Sequence, residues 1–286
     1  MPLVFLKLGG SLITDKRGDA AVRQDALDSA AREIRAALDA DPGLGLVVGH
    51  GSGSFGHVAA RKSRMLDDPV NWRAYAEVGA AAARLNRLVA DALLAADVPA
   101  VTIQPSAAVL AREGRIVDMA LTPLRRLLDA GAVPLVYGDV AVDEARGYCI
   151  IATETIFTYL ADALRPARIV LAGQVDGVYS VDPLVHPDAR PVPRLTPDDW
   201  TAIAGGLHGA AGVDVTGGMA AKVRAMLDLV QAYPALRVRL VSGLRPGAIR
   251  DAVLGREAGG SVLTTTERGD YYASQRGGGR SVGRRG

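Results

Sequence analysis

The sequence predicts an α/β protein: a three-layer α/β/α sandwich around an open, mainly parallel sheet. Three observations carry this reading. Short runs of Val, Ile and Leu alternate with amphipathic helical stretches along most of the chain, and such alternation builds a parallel sheet covered on both faces. Apolar residues make up 49% of the 286 residues, with only three Phe among them, which suits aliphatic helices packed on a sheet. Two glycine clusters follow directly on the first two strand-like runs, at the strand ends where such sheets bind their ligands.

The elements follow in order. Residues 3–8 form an apolar β-prone run, and 21–40 place Ala26, Ala30, Ile34, Ala37 and Leu38 on one helical face. Asp41-Pro42-Gly43 stops that helix. A buried strand over 44–49 and a long Ala-rich helix over about 73–96 come next. Residues 99–103 form a strand, and 122–130 a helix with Thr122-Pro123 at its start. A strand at 133–137 ends at Gly138-Asp139, and 140–151 reads as a hairpin around Glu144–Gly147. A helix over 153–164 leads to a strand at 168–172, a helix over 217–232 to a strand at 237–241, and 261–264 closes the sheet. Neither an internal repeat nor a linker interrupts residues 1–265, which read as one domain. Residues 266–286 are expected to form a disordered Gly/Arg-rich tail: its end, 275–286, holds four Arg, five Gly and one apolar residue.

Charge and cysteine content exclude several classes. A net charge of +2 provides no strong field for nucleic acid. The single cysteine, Cys149, excludes an intrachain disulfide and a cysteine-built zinc site. There is no leading apolar segment with signal-peptide flanks and no run of about eighteen apolar residues, so the expectation is a soluble, cytoplasmic protein without membrane contact.

The chemistry concentrates at the glycines. Lys7 sits near the end of the first run, followed by Gly9-Gly10-Ser11 and Lys16. Successive backbone N–H groups at bare glycines form an anion nest, and two lysines flank this one. By itself the segment is equally a strand followed by an ordinary Gly-Gly turn. The second cluster, Gly49 to His57, has four glycines in nine residues. It lacks the Gly-Lys-Ser/Thr close of a P-loop, and it follows the second strand rather than the first, unlike a dinucleotide fingerprint. Two such loops suggest one for a nucleotide and one for a phosphorylated acceptor. Further along, Asp176-Gly177-Val178-Tyr179 follows a strand; Asp176 suits a ribose or base contact and Tyr179 packing near adenine, although Asp-Gly is also a common turn dipeptide. Gly217-Gly218 opens a helix with Lys222 one to two turns in, another anion site made from free N–H groups.

These motifs together resemble the amino-acid kinase superfamily, and within it the isopentenyl phosphate kinases. Lys7-Leu8-Gly9-Gly10-Ser11 is similar to the family's opening strand and loop. Gly138-Asp139, Asp176–Tyr179 and Thr216-Gly217-Gly218-Met219 with Lys222 follow in the family's order. Gly51-Ser52-Gly53-Ser54-Phe55-Gly56-His57, Lys16 and the segment from Asp214 resemble the isopentenyl phosphate branch. The resemblance implies transfer of the γ-phosphoryl group of ATP, with Mg²⁺, to isopentenyl phosphate by a homodimer. It implies an acceptor half over about 1–165 and a nucleotide half over about 166–265. It also implies that Lys7, Lys16 and Lys222 meet the transferring phosphoryl group. Gly9, Gly10, Ser11, Gly53 and Gly218 would cradle ATP, and Ser52, Gly53, His57 and Thr153 would line the acceptor phosphate. No metal-binding side chains are expected, and His50 reads as structural.

Three departures stand out. Ser52 replaces a family glycine, Val58 a proline, and Ala152-Thr153-Glu154 the family's Ser-Gly-Asp. Glu154 keeps the carboxylate that orients the lysines on an arm one methylene longer. Thr153 brings a hydroxyl and bulk close to the acceptor. A kinase for another small phosphate or phosphonate such as fosfomycin, or a non-catalytic nucleotide-binding protein of the same fold, are the alternatives. The retained Lys7, Lys16 and Lys222 speak against the second.

Overall fold

The computed structural model describes residues 2–15, 20–65, 71–181, 183, 186, 188–200 and 218–265. The first elements are β1 (Leu3–Leu8), α1 (Gly10–Ile13), β2 (Thr14–Asp15), β3 (Ala21–Val22), α2 (Gln24–Ala40), β4 (Gly45–His50), α3 (Gly53–Lys62), α4 (Trp72–Ala95) and β5 (Ala100–Thr102). Then follow α5 (Pro105–Ala108), β6 (Val109–Arg112), β7 (Arg115–Met119), α6 (Leu121–Asp129), β8 (Val133–Tyr137), β9 (Asp139–Asp143), β10 (Gly147–Ile151) and α7 (Thr153–Leu164). The last part holds β11 (Arg168–Gly173), β12 (Val178–Tyr179), β13 (Pro191–Val192), β14 (Arg194–Leu195), α8 (Gly218–Ala232), β15 (Arg237–Ser242), α9 (Ala248–Val253) and β16 (Ser261–Leu263).

Eight strands form the central sheet in the order β14-β16-β15-β11-β1-β4-β8-β5. All described pairs in it are parallel except β15 with β16. Period-two alternation sorts the strands onto two cores. Val4, Leu6 and Leu8 of β1 face Leu27, Ile34, Leu85, Val89 and Ile249, which belong to α2, α4 and α9. Phe5 faces the other way, onto Phe157, Leu160, Met226 and Val230 of α7 and α8. Each fully buried Leu, Ile or Phe contributes roughly 1.5–3 kcal/mol, so both helical layers are anchored mainly by these stripes.

Several elements differ from the sequence expectation. The helix expected from Ala21 starts at Gln24, because Ala21 and Val22 pair with Asp15 and Thr14 instead. Residues 53–62, read as loop, form α3: only its first residues are glycine-rich, and Phe55 and Ala60 bury its inner face. A second sheet, β10-β9-β6-β7, extends the expected 140–151 hairpin by two strands. Asp143 ties its two turns together, accepting hydrogen bonds from the backbone N–H groups of Glu113, Gly114, Ala145 and Arg146 at 2.7–3.1 Å. The tail, Lys16, Asp214, Thr216 and Gly217 lie outside the described residues.

Candidate active site

β1, β4 and β8 end level, and β11 and β15 run one residue further, to the Gly173–Ser242 pair. Leu8 pairs with His50 and with Ala172, His50 with Tyr137, and Ala172 with Val241. Beyond this edge come Gly9, Gly51, Gly138, Gly173 and Gly243, so five strands deliver bare backbone to one rim. The chain runs from β1 to β4 on one side and later returns to β11 on the other. The rim at β1 is therefore the switch point at which open α/β sheets bind ligands.

The two glycine loops interlock there. A Cβ on Gly10 would stand 2.5 Å from the Gly53 nitrogen and 2.6 Å from its Cα. Gly53 itself has φ of +52°, and a Cβ there would stand 2.3 Å from Thr14 Oγ1. Thr14 knits the loops, donating to the Gly10 carbonyl at 2.7 Å and accepting from the Ser54 N–H at 3.0 Å. Sequence reasoning missed Thr14, since nothing in a lone Thr after an apolar pair marks it. Gly9 gives its N–H to the Ala172 carbonyl at 2.8 Å, so it serves close approach rather than donation. The N–H groups of Gly10, Ser11, Ser52 and Gly53 meet no protein acceptor among the described residues. The Gly53 end of α3 adds the positive end of a helix dipole, a ready anion site.

Strand alternation also aims the charged pair. Lys7 lies on the same side of β1 as Phe5, whose ring packs 5.1 Å from that of Phe157 in α7. Two residues further along β1, the Lys7 side chain reaches the first turn of α7. There its Nζ donates to Glu154 Oε1 at 2.7 Å, with both side chains buried. Burial pushes the Glu154 carboxyl upward, but the positive charges of Lys7 and Lys222 outweigh it and hold the group below the ordinary carboxylate range. Lys222 is half-buried in the second turn of α8. The structure thus gathers Lys7, Glu154 and Lys222 around one carboxylate.

The remaining predicted residues sort by position. Thr153 is buried, and its hydroxyl donates to the His50 carbonyl at 2.6 Å. Its methyl group fills the space that a Cβ on Gly49 would need, 2.6 Å away. Thr153 therefore braces β4, and its proton is committed there. Ser52 precedes α3, and His57 lies half-buried one turn into it. Asp176 and Tyr179 sit beyond β11, joined by a Tyr179 hydroxyl bond to Asp176 Oδ1 at 2.6 Å. Ser261 clamps that turn, accepting from Val178 N–H at 2.8 Å and donating to the Val192 carbonyl at 2.6 Å. Gly218 opens α8. Lys16 lies outside the described residues.

A sheet of this topology with interlocked glycine loops, helix N-termini and a buried lysine–carboxylate pair at its switch point defines a phosphoryl-binding α/β protein. The chain belongs to the amino acid kinase family, which it matches over residues 2–242. It is similar to the isopentenyl phosphate kinase of Methanothermobacter thermautotrophicus, with 36% identity over 92% of this chain and 99% of the relative. The isopentenyl phosphate kinase of Methanocaldococcus jannaschii is 32% identical over 91% of this chain and 98% of the relative. Among solved structures, an isopentenyl phosphate kinase superposes with a TM-score of 0.77 at 33% identity, covering 91% of this chain and 99% of the other.

Proposed function

We propose that this protein transfers the γ-phosphoryl group of ATP to isopentenyl phosphate, giving isopentenyl diphosphate and ADP. The observation that carries the chemistry is the buried Lys7–Glu154 pair beneath two interlocked glycine loops. The full-length similarity to isopentenyl phosphate kinases supports the choice of acceptor.

In this reading an acceptor phosphate oxygen attacks the γ-phosphorus; the new P–O bond forms as the bond to the ADP oxygen breaks. A phosphate is already ionised, so no strong general base is required. Positioning and charge neutralisation supply the acceleration. Lys7, held by Glu154, and Lys222 meet the transferring group, and Lys16 meets the charge that develops on it. Gly10, Ser11 and Gly53 offer N–H groups to nucleotide phosphates, with Gly9 allowing close approach and Gly218 opening a further helix N-terminus. Ser52, Gly53 and His57 face the acceptor phosphate, with Thr153 bracing the strand beneath. Asp176 and Tyr179 mark the nucleoside end. Residues up to about 165 then serve the acceptor and those from about 166 the nucleotide.

No group of three or more His, Cys, Asp or Glu side chains gathers among the described residues, and Glu154 is engaged by lysine. As the resemblance implies, Mg²⁺ would accompany the ATP phosphates and neutralise their charge. For the acceptor tail, Ala60, Val78, Val140 and Tyr148 form an apolar cluster apart from the two main cores, between α3, α4 and the β9–β10 hairpin. Of the α4 stretch 78–89 only its start joins this cluster, whereas Leu85 and Val89 belong to the main core. Among the described residues no helix is long and apolar enough to cross a membrane. A cytoplasmic homodimer is the assembly expected from the resemblance, and sedimentation of the purified protein checks the dimer. The activity is tested by incubating the protein with Mg-ATP and a panel of phosphates, phosphonates and carboxylates. Isopentenyl diphosphate is the expected product; turnover of another acceptor alone would reject this one.

A further inference from the structure

His50 is fully buried at the end of β4, and its carbonyl and both ring nitrogens are engaged. Its carbonyl accepts from the Thr153 hydroxyl at 2.6 Å and from the Gly138 N–H at 3.0 Å. Its Nδ1 lies 3.1 Å from the Gly51 carbonyl oxygen and its Nε2 3.1 Å from Asn86 Nδ2. Asn86 Oδ1 in turn accepts from the Thr102 hydroxyl at 2.8 Å. The ring stacks on Tyr137 with centroids 5.4 Å apart and planes 7° from parallel.

A carbonyl oxygen only accepts, so Nδ1 must carry the proton. Nε2 is then an acceptor, which turns the Asn86 amide nitrogen toward it and the Asn86 oxygen toward Thr102. The direction of the whole chain is thus fixed from one end. Burial is the main force keeping the ring neutral; together with Lys7 it outweighs the Gly51 contact and pushes the pKa down to about 4.

The consequence falls on the next peptide. Gly51 N–H still belongs to the sheet, donating to the Leu8 carbonyl at 3.1 Å. The Gly51–Ser52 peptide lies beyond the sheet, and among the described residues the His50 ring holds its carbonyl. In a trans peptide the C=O and the following N–H point in opposite directions, and no peptide bond described here is cis. Drawing the Gly51 carbonyl toward the ring therefore turns the Ser52 N–H away from the α4 layer, to the face of the glycine loop where no protein acceptor meets it.

We infer that His50 is a positioning residue: through Nδ1–H it sets the Gly51–Ser52 peptide so that the Ser52 N–H donates to the acceptor phosphate. This rests on the acceptor-site reading above. It predicts that the two ring nitrogens are not equivalent. An Asn at 50 offers its amide nitrogen near the Nδ1 position, and a Gln offers its own near Nε2. His50→Gln should raise KM for isopentenyl phosphate about tenfold with KM for ATP changed less than about twofold, and His50→Asn should recover most of that loss. Both substitutions disturb a buried site, so a purely structural role would lower both melting temperatures without separating the two KM values. Equal behaviour of the variants, or parallel rises in both KM values, would overturn the inference.

Two readouts do not depend on turnover. A long-range ¹H–¹⁵N spectrum of the wild-type imidazole should show the neutral Nδ1–H tautomer; the Nε2–H tautomer would overturn the inference. Titration with inorganic phosphate should shift the Ser52 amide resonance in the wild type and in His50→Asn and leave it in place in His50→Gln; the same shift in all three would overturn it. If the wild type uses another phosphate acceptor, the acceptor reading fails while these readouts still decide the role of His50.

Discussion

At the residue scale, the site turns on one carboxylate. Glu154 stands where the family resemblance implies an aspartate, and its longer arm still reaches Lys7 at 2.7 Å. The resemblance made a carboxylate that orients the lysines expected at this position, but not which lysine it holds: that follows from Lys7 and the first turn of α7 meeting across the sheet. The partners of Thr153 were not legible: its hydroxyl braces the His50 carbonyl, a contact that depends on how β4 and α7 meet. Glu154→Gln keeps the shape and removes the charge, leaving buried Lys7 without its carboxylate partner. Losing one partner of a buried pair costs about 3–5 kcal/mol, so the unliganded variant should melt measurably lower. Turnover should fall about tenfold or more, because a lysine no longer held drifts from the phosphoryl group. Glu154→Asp should retain part of the rate. Steady-state kinetics beside calorimetry check this; unchanged turnover with a small loss of stability would reduce Glu154 to a helix-start acid.

At the element scale, the glycine loops work as one unit because Thr14 joins them. Thr14→Val preserves the branched shape and removes both side-chain hydrogen bonds; the Gly10 carbonyl keeps the Thr14 backbone N–H, whereas the Ser54 N–H loses its partner. Stability should fall by roughly 1–3 kcal/mol, the cost of leaving one buried polar group unmatched. If one loop serves each substrate, as proposed, KM should rise for ATP and for the acceptor together. Kinetics in which only one KM moves would mean that the loops act independently. The second sheet hangs on Asp143 in the same way. Burial pushes its carboxyl up, but four backbone N–H donors outweigh this and bring the pKa down to about 2. A depressed folded pKa gives stability that is present above the ordinary aspartate value of about 4 and lost as pH falls toward about 2. Asp143→Asn should therefore be less stable than the wild type at neutral pH, with the gap closing as pH drops through that window. A gap that stayed constant with pH would assign the effect to shape rather than charge. Neither α3 nor β6–β7 was evident beforehand. The glycines at the start of α3 mask its periodicity, and short strands such as Arg115–Met119, half of them exposed, lack a hydrophobic alternation to read.

At the scale of the whole molecule, the rim at β1 joins two halves of one sheet. β4, β8 and β5 lie to one side, and β11, β15, β16 and β14 to the other. The order of β–α alternation predicted this layered sheet, because each buried strand needs both faces covered. What alternation could not supply is the level ending of β1, β4 and β8, with β11 and β15 one residue longer, since register is set by pairing and not by composition. If ATP occupies the β11 side and the acceptor the β4 side, each ligand ties one half to β1. Any ligand that binds only the folded state stabilises it by RT ln(1 + [L]/Kd), about 2.7 kcal/mol at a hundredfold excess over Kd. For a domain of this size that is a rise in melting temperature on the order of 5–10 °C. A non-hydrolysable ATP analogue with Mg²⁺ should raise the melting temperature, and isopentenyl phosphate should do so separately. Added together they should give at least the sum of the two shifts, since a rim already ordered by one ligand costs less to order for the next. Saturation by either ligand alone, with no further shift from the other, would mean that both compete for one phosphate cradle and that the division of the rim between two substrates is wrong.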